Sequence, residues 1–270
     1  MNVLPSPLLA PYVKYYWVVK ADETTAIQTV PSGCIHLVFH RGGSMYFSDG
    51  EQQPQSFIRG QLSGPGVLQS KDGIDMVAVI FHPLGFNVFF SLPLQLIYNQ
   101  YADVDSMEDA GLKELKGNIL HEEDSLACIK LIEHFLLSRI TDWHDYNFKR
   151  MFHSVEVISR QVEIDVASLA SQTCLGVRHF NREFSKYIGT SPKEYLRIVR
   201  FQRLLHLLQN NPGTELTELA YGCGFCDSSH LVKEFRSLTG CTPTEYLQSR
   251  KPHSTFFSKG SRLNIIELHR

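Results

Sequence analysis

The sequence predicts a chain of mixed α+β class in two unlike parts. The front is a small β-barrel or double sheet followed by helices, and the back is all-α, built from two helix-turn-helix units. Three observations carry this reading. A segment of about 30 residues is written twice, as in a tandem duplication of one supersecondary unit. Short apolar runs separated by turn residues fill residues 12 to 81. Charge is also unevenly split: residues 1–150 hold 11 Lys+Arg and 17 Asp+Glu, a net of −6, whereas residues 151–270 hold 15 and 11, a net of +4. An acidic front and a basic back suit a sensing or assembly part joined to one that meets a polyanion.

The opening stretch, MNVLPSPLLAPYVKYYW, carries three interior prolines and no basic-then-apolar leader pattern. No apolar run is long enough for a bilayer span. The six cysteines are irregularly spaced, unlike an extracellular disulfide framework. A cytoplasmic protein without a membrane partner is expected.

Strands are predicted at Tyr12–Val19, Cys34–His40, Met45–Phe47, Ser56–Arg59 and Ile74–Phe81, where β-branched and aromatic residues cluster. Turn residues separate them at Pro31-Ser32-Gly33, Arg41-Gly42-Gly43, Asp49-Gly50, Gly64-Pro65-Gly66 and Asp72-Gly73. Tyr15, Trp17, His36, Tyr46 and Phe81 are the candidate walls of a small-effector pocket; packing in the core is the competing fate of aromatics in strands. His36 and His40 share one strand face, but no His-x-His occurs anywhere and His82 lies past the last strand. No metal or other cofactor is expected.

From Pro83 the periodicity becomes helical, with segments at 86–90, 93–98, 106–120 and 122–140. The last has an Asp124 or Ser125 cap and an apolar stripe of Leu126, Ile129, Ile132, Leu136 and Leu137. That stripe suits either the core or a second subunit. Thr141–Tyr146 reads as a polar join, and a helix at Asn147–Gln161 opens the back part, which runs over 146–250 after a front part of 1–145. Residues 251–270 read as a tail.

The duplication reads EFSKYIGTSPKEYL from Glu183 and EFRSLTGCTPTEYL from Glu234, an offset of 51, while Leu169-Ala170 recurs as Leu219-Ala220 at an offset of 50. The second copy therefore carries one extra residue in its turn. Each copy has a short helix, a turn with glycine (Gly176, or Gly222 and Gly224) suited to positive φ, and a second helix with a polar outer face. Phe180 and Phe184 in the first copy, and Leu231 and Phe235 in the second, take the buried positions; Asp227 or Ser228 caps the second. Outward side chains near the start of such a helix can reach base edges in the major groove. Arg178, Asn181 and Arg182 are the candidate base readers of one unit, and Ser228, Ser229 and Lys233 of the other. Lys186, Arg197, Arg200 and Arg236 are candidate phosphate contacts. Ser191–Gln209 joins the units as a capped helix with Pro192 in its first turn. At about 28 Å it approaches the roughly 34 Å between successive major-groove faces.

These residues, and the closing Gly224-Phe225…Phe235…Gly240-x-Thr242-Pro243-x-x-Tyr246, resemble the AraC/XylS family of bacterial transcription regulators over about residues 150–250. The resemblance implies promoter DNA as partner, usually activation with RNA polymerase, a cupin-like effector-binding barrel in front, and a homodimer helix near 122–140. Lys233 departs from the family pattern where an arginine often stands, which removes bidentate guanine reading there. Two other classes compete: an effector-independent architectural DNA binder, and a cupin-type enzyme fused to a DNA-binding part. No nucleophile–base motif or metal triad supports the enzyme. Cys223-Gly224-Phe225-Cys226 invites a redox or zinc reading, but without a second pair it reads as small residues beside a tight turn.

Overall fold

The computed structural model describes residues 1–23, 25–47, 50–70, 72–140, 146–211 and 213–248. Asp49, the join at 141–145 and the tail at 251–270 lie outside the described residues. The mixed class holds, with strands first and helices after. The strands are β1 (Asn2–Val3), β2 (Val13–Ala21), β3 (Thr25–Thr29), β4 (His36–Gly42), β5 (Met45–Phe47), β6 (Ser56–Arg59), β7 (Gly66–Ser70), β8 (Ile74–Phe81) and β9 (Tyr101–Asp103). They pair antiparallel into two sheets, β1-β2-β8-β4-β6-β9 and β3-β7-β5. The front part is thus a double sheet.

Its central strands are buried on both faces, so they read as nearly continuous apolar runs. Trp17, Val38, Ala78 and Ile80 meet the smaller sheet through Ile27, Met45 and Leu68. Tyr16, Val18, Leu37, Val79 and Phe81 face the other way, toward Phe86, Phe89 and two helices. These helices are α1 (Ala110–His121) and α2 (Ser125–Leu137), both shorter than the periodicity suggests because Asp109 and Asp124 cap them. Asp124 accepts from the amides of Leu126 and Ala127, both at 3.1 Å. The runs at 86–90 and 93–98 form only single 3-10 turns, Gly85–Val88 and Leu94–Ile97. Most of the α2 stripe is core: Ile129, Ile132 and Leu136 are buried on the large sheet, while Leu126 and Leu137 stay exposed. Arg41 fastens the start of α2 to the sheet, bonding Asp75 Oδ1 at 2.5 Å, Ser125 Oγ at 2.7 Å and the Glu122 carbonyl at 2.9 Å.

The back part comprises α3 (Tyr146–Arg160), α4 (Val166–Gln172), α5 (Val177–Ile188), α6 (Pro192–Asn210), α7 (Leu216–Gly222), α8 (Ser228–Thr239) and α9 (Pro243–Gln248). Ser191 caps α6, accepting from the Glu194 amide at 3.2 Å. At the start of α9 the equivalent box closes both ways, Thr242 N–H to Glu245 Oε2 at 2.7 Å and Glu245 N–H to Thr242 Oγ1 at 3.2 Å.

Three side-chain amides seat this part on the front. Asn87 Nδ2 donates to the Tyr187 carbonyl at 2.8 Å, and Gln28 Nε2 donates to the Thr239 carbonyl at 2.6 Å. Both acceptors lie in the last turn of α5 or α8, where helical carbonyls lack a partner within the helix. From α6, Gln202 Nε2 donates to the Pro31 carbonyl at 2.5 Å. Val30 is buried among Phe201, Leu204 and Phe235, and Leu84 joins Met151, Phe180 and Phe184. The C-terminal ends of α5 and α8 are therefore held by the front part, and their first turns lie about 16 Å away along each helix.

Burial keeps three histidines of the front part neutral: His36 is lowered to about 3, and His40 and His82 to about 4. The unfolded chain binds these protons near pH 6.5 and the folded chain does not, so stability falls as pH drops below about 6.5. The unfolding midpoint should decline steadily from pH 6.5 to 4.5, each histidine contributing up to about 1.4 kcal/mol per pH unit. A His40→Gln variant should show a shallower decline in thermal scans across that range.

Candidate nucleic-acid interface

Each helix-turn-helix unit is built around one short apolar contact between its helices. In the first, Leu169 and Ala170 of α4 pack with Phe180 and Phe184 of α5, backed by Met151, Val155 and Ile158 of α3. In the second, Leu219 and Ala220 of α7 pack with Leu231 and Phe235 of α8, backed by Phe201, Leu204 and Leu205 of α6. The turns close with matching backbone bonds, Leu175 N–H to the Ala170 carbonyl at 3.0 Å and Phe225 N–H to the Ala220 carbonyl at 2.8 Å. The left-handed position is Cys174 (φ 55°) in one turn and Gly224 (φ 76°) in the other. This corrects the expectation for Gly176, which precedes α5 at φ −67°, and for Gly222, which ends α7. Cys174 and Gly224 are still 50 apart, whereas α5 and α8 start 51 apart. The extra residue thus lies between Gly224 and the Asp227 cap, which accepts from the His230 amide at 2.7 Å.

The outer face of α5 presents Arg178, Arg182 and Lys186 to solvent, with Asn181 half-buried. Asn181 Nδ2 donates to the Val177 carbonyl of its own helix at 2.7 Å, and Arg182 Nε leans on Glu183 at 3.2 Å. The Arg182 side chain nonetheless stays 71% exposed, leaving most of its donors free to turn toward a ligand. Arg178, His179 and Arg182 line an open cleft at the start of this helix with Gly176. His179 was not among the residues expected from sequence; its ring lies 3.5 Å from Glu183, one turn on. The only sequence signal for it was its place between two arginines at the helix start.

On α8, Ser229, Lys233 and Arg236 are exposed and Ser228 is half-buried, while Val232 packs against the second core. Two of the expected phosphate contacts have other partners. Arg197 bonds Glu234 at 2.5 Å and Glu194 at 2.9 Å and also reaches Ser237 Oγ, tying α6 to α8. It is an internal strut. Arg200 lies 5.5 Å from the Phe225 ring and lines the open groove between Asp165, Ser168 and Gly224, where the two units meet. Cys223 is buried in the second core, and burial pushes its thiol up to about 11, which suits packing rather than thiolate chemistry.

Of the five pocket candidates, Trp17 and His36 line a hollow between the sheets. Tyr15 packs against the same cluster. Phe81 does not belong there: it is buried on the opposite face against Phe86, Phe89 and Phe90. The reason is register. Trp17 pairs with Ala78 and Tyr15 with Ile80 on the side of the hollow, so Phe81, one residue beyond Ile80, faces the other way with Val77 and Val79. Tyr46 also falls outside the hollow, between Met45 and Phe47, whose side chains meet the inter-sheet core. Among the described residues, no three metal-ligating side chains converge, and no helix is long and apolar enough to cross a membrane.

Two like units, each exposing the start of its second helix on a polar and mostly basic face, define a tandem helix-turn-helix DNA-binding module. Residues 169–249 match the family model described as a helix-turn-helix domain, and residues 1–103 match a domain of unknown function (DUF6597). The back part of the chain thus carries a helix-turn-helix domain. Curated relatives include the HTH-type transcriptional activator RhaS of Escherichia coli, 32% identical over 88 residues, 33% of this chain and 31% of the relative. The chain thus spans under a third of the length of the curated relatives it matches. Among solved structures, ToxT from Vibrio cholerae aligns over 86% of this chain and 97% of its own at 13% identity and a TM-score of 0.44. A regulator from Chromobacterium violaceum, with an AraC-type DNA-binding domain, aligns over 38% and 95% at 23% identity and a TM-score of 0.36. Scores this low carry no further assignment.

If Arg197 is a strut, Arg197→Met should cost about 1.5–3 kcal/mol of stability, the range for hydrogen bonds to charged groups. Lys186→Ala should instead leave the unfolding midpoint within about 0.5 kcal/mol of wild type, while lowering the salt slope of DNA binding by about 1. Thermal scans and salt titrations of the two variants check both outcomes.

Proposed function

We propose that the protein is a cytoplasmic, sequence-specific transcription regulator, an activator, that binds promoter DNA through both helix-turn-helix units. In this reading residues 1–145 are a sensor and dimerisation domain for a small effector, and residues 146–250 bind DNA and work with RNA polymerase. No catalytic role is assigned. The observation that carries the proposal is the duplicated unit, each copy exposing the first turns of its second helix away from the front part. Arg178, Asn181 and Arg182 are offered as base readers in one groove, and Ser228, Ser229 and Lys233 in the next. His179 joins the first set. Lys186, Arg200 and Arg236 are offered to phosphates. The activator assignment is supported by the relatives named as activators, and the homodimer by the family resemblance.

The test is binding of the full chain to its own upstream DNA and to a scrambled duplex, titrated with salt. A preference of roughly 10³-fold or more fits specific recognition; equal affinity for both favours an architectural binder. Within a specific complex, Arg182→Ala should cost about 1–3 kcal/mol and relax selection at one base pair. An equal loss on all sequences, with a smaller salt slope, reassigns Arg182 to phosphate.

A further inference from the structure

The duplication reaches one helix further back than the two units themselves. Met151, Val155 and Ile158 of α3 recur 50 residues later as Phe201, Leu205 and Leu208 of α6, and each set lies in the core of its own unit. The runs α3-α4-α5 and α6-α7-α8 are thus two copies of one three-helix block. Across these copies Asn147 corresponds to Arg197, His179 to His230, Arg182 to Lys233 and Glu183 to Glu234.

The acid is present in both copies, but its partners are exchanged. In the second copy Glu234 is taken by the preceding helix: Arg197 bonds it at 2.5 Å, and the charge is neutralised inside the block. His230 turns elsewhere, its ring nitrogen accepting from the Cys226 amide at 3.4 Å and its ring meeting Phe225 edge-on. In the first copy the preceding helix supplies a neutral amide, Asn147 Nδ2, at 3.4 Å. The charge of Glu183 is met from its own helix instead. Arg182 Nε donates to it at 3.2 Å, and the His179 ring lies 3.5 Å away. The Glu183 side chain is only 10% exposed, so the carboxylate sits behind the two side chains it holds.

We propose that Glu183 is a positioning residue for DNA recognition: it fixes Arg182, and with it His179, in the direction from which the first unit reads bases. A guanidinium held through Nε keeps both terminal nitrogens for a base edge, and that fork matches guanine. A long side chain ordered in advance also loses less freedom on binding. Phosphates beside the groove compete for any cation, and a carboxylate at the root of Arg182 opposes that diversion. The second unit lacks the arrangement, because Arg197 takes its acid and Lys233 has no fork. This inference deepens the proposed function and rests on Arg182 being a base reader.

The experiment is selection of sites by the full chain from a pool of randomised duplexes, followed by affinity measurements on the selected duplex and on a scrambled one. Wild type, Glu183→Ala, Glu183→Gln, Arg182→Ala and the double variant Glu183→Ala/Arg182→Ala are compared, each checked for folding by thermal scan. Arg182→Ala should lose its preference at one base pair. Glu183→Ala should weaken the preference at that same base pair by about tenfold, while affinity for the scrambled duplex rises because a negative charge has left the neighbourhood of the phosphates. Glu183→Gln, which keeps the acceptor without the charge, should fall between, and it carries the comparison if Glu183→Ala does not fold. In the Arg182→Ala background Glu183→Ala should have no further effect on selection, since residues acting as one unit are not additive. Undiminished preference in a folded Glu183 variant overturns the proposal. So does an equal loss on both duplexes, the mark of a merely structural role, or an effect that persists without Arg182. A chain that selects no sequence, or an Arg182→Ala variant that selects as the wild type does, removes the reader and this proposal with it. An effect of Arg182→Ala with none from Glu183 removes the proposal alone.

Discussion

One helix carries obligations on every side. Along α6, Tyr195 joins the core of the first unit, and Phe201, Leu204, Leu205 and Leu208 join that of the second. Tyr195 and Ile198 also lie against Gly33 of the front part, and Gln202 bonds Pro31. A helix buried on several sides has no free face along which to slide or turn. The two units cannot be described as beads on a string. Their relative placement is a property of α6 and of whatever holds it.

The front part holds the helical module at three points, one on α6 and the other two at the ends of the helices offered to DNA. Gly189 and Gly240, at φ 88° and 82°, end α5 and α8 in the left-handed conformation. Such caps satisfy only some of the last carbonyls, and amides from Asn87 and Gln28 take one more at each helix. The duplication thus extends beyond its own sequence: a non-duplicated partner has come to treat its two copies alike. Arg197, bridging Glu194 of α6 to Glu234 of α8, locks the second unit from within the module.

What could be read from the sequence follows from how locally each feature is determined. The back part was legible because caps, periodicity and duplication act within a few residues: Ser191, Asp227 and the 19-residue linking helix appear where expected. Strands β1, β3, β7 and β9 are not marked out by the sequence. β7 opens on Gly66, which reads as a turn, and each of the four is defined by a partner distant in sequence. Phe81 falls on the wrong face because strand alternation divides β8 into two sides but does not say which side meets the smaller sheet. Arg197 looked like a phosphate contact because its main partner, Glu234, is 37 residues away.

The linking helix also bears on how such a protein can change over generations. One residue added to α6 would turn everything beyond it by about 100° and advance it by about 1.5 Å. The second unit would then lose its seat on Gln28 and Val30 together with its alignment to the first. Surface loops accept such length changes readily, but this rod cannot. Descendants of the chain are free to alter which letters each unit favours, by exchanging exposed side chains, far more easily than the distance between the two words.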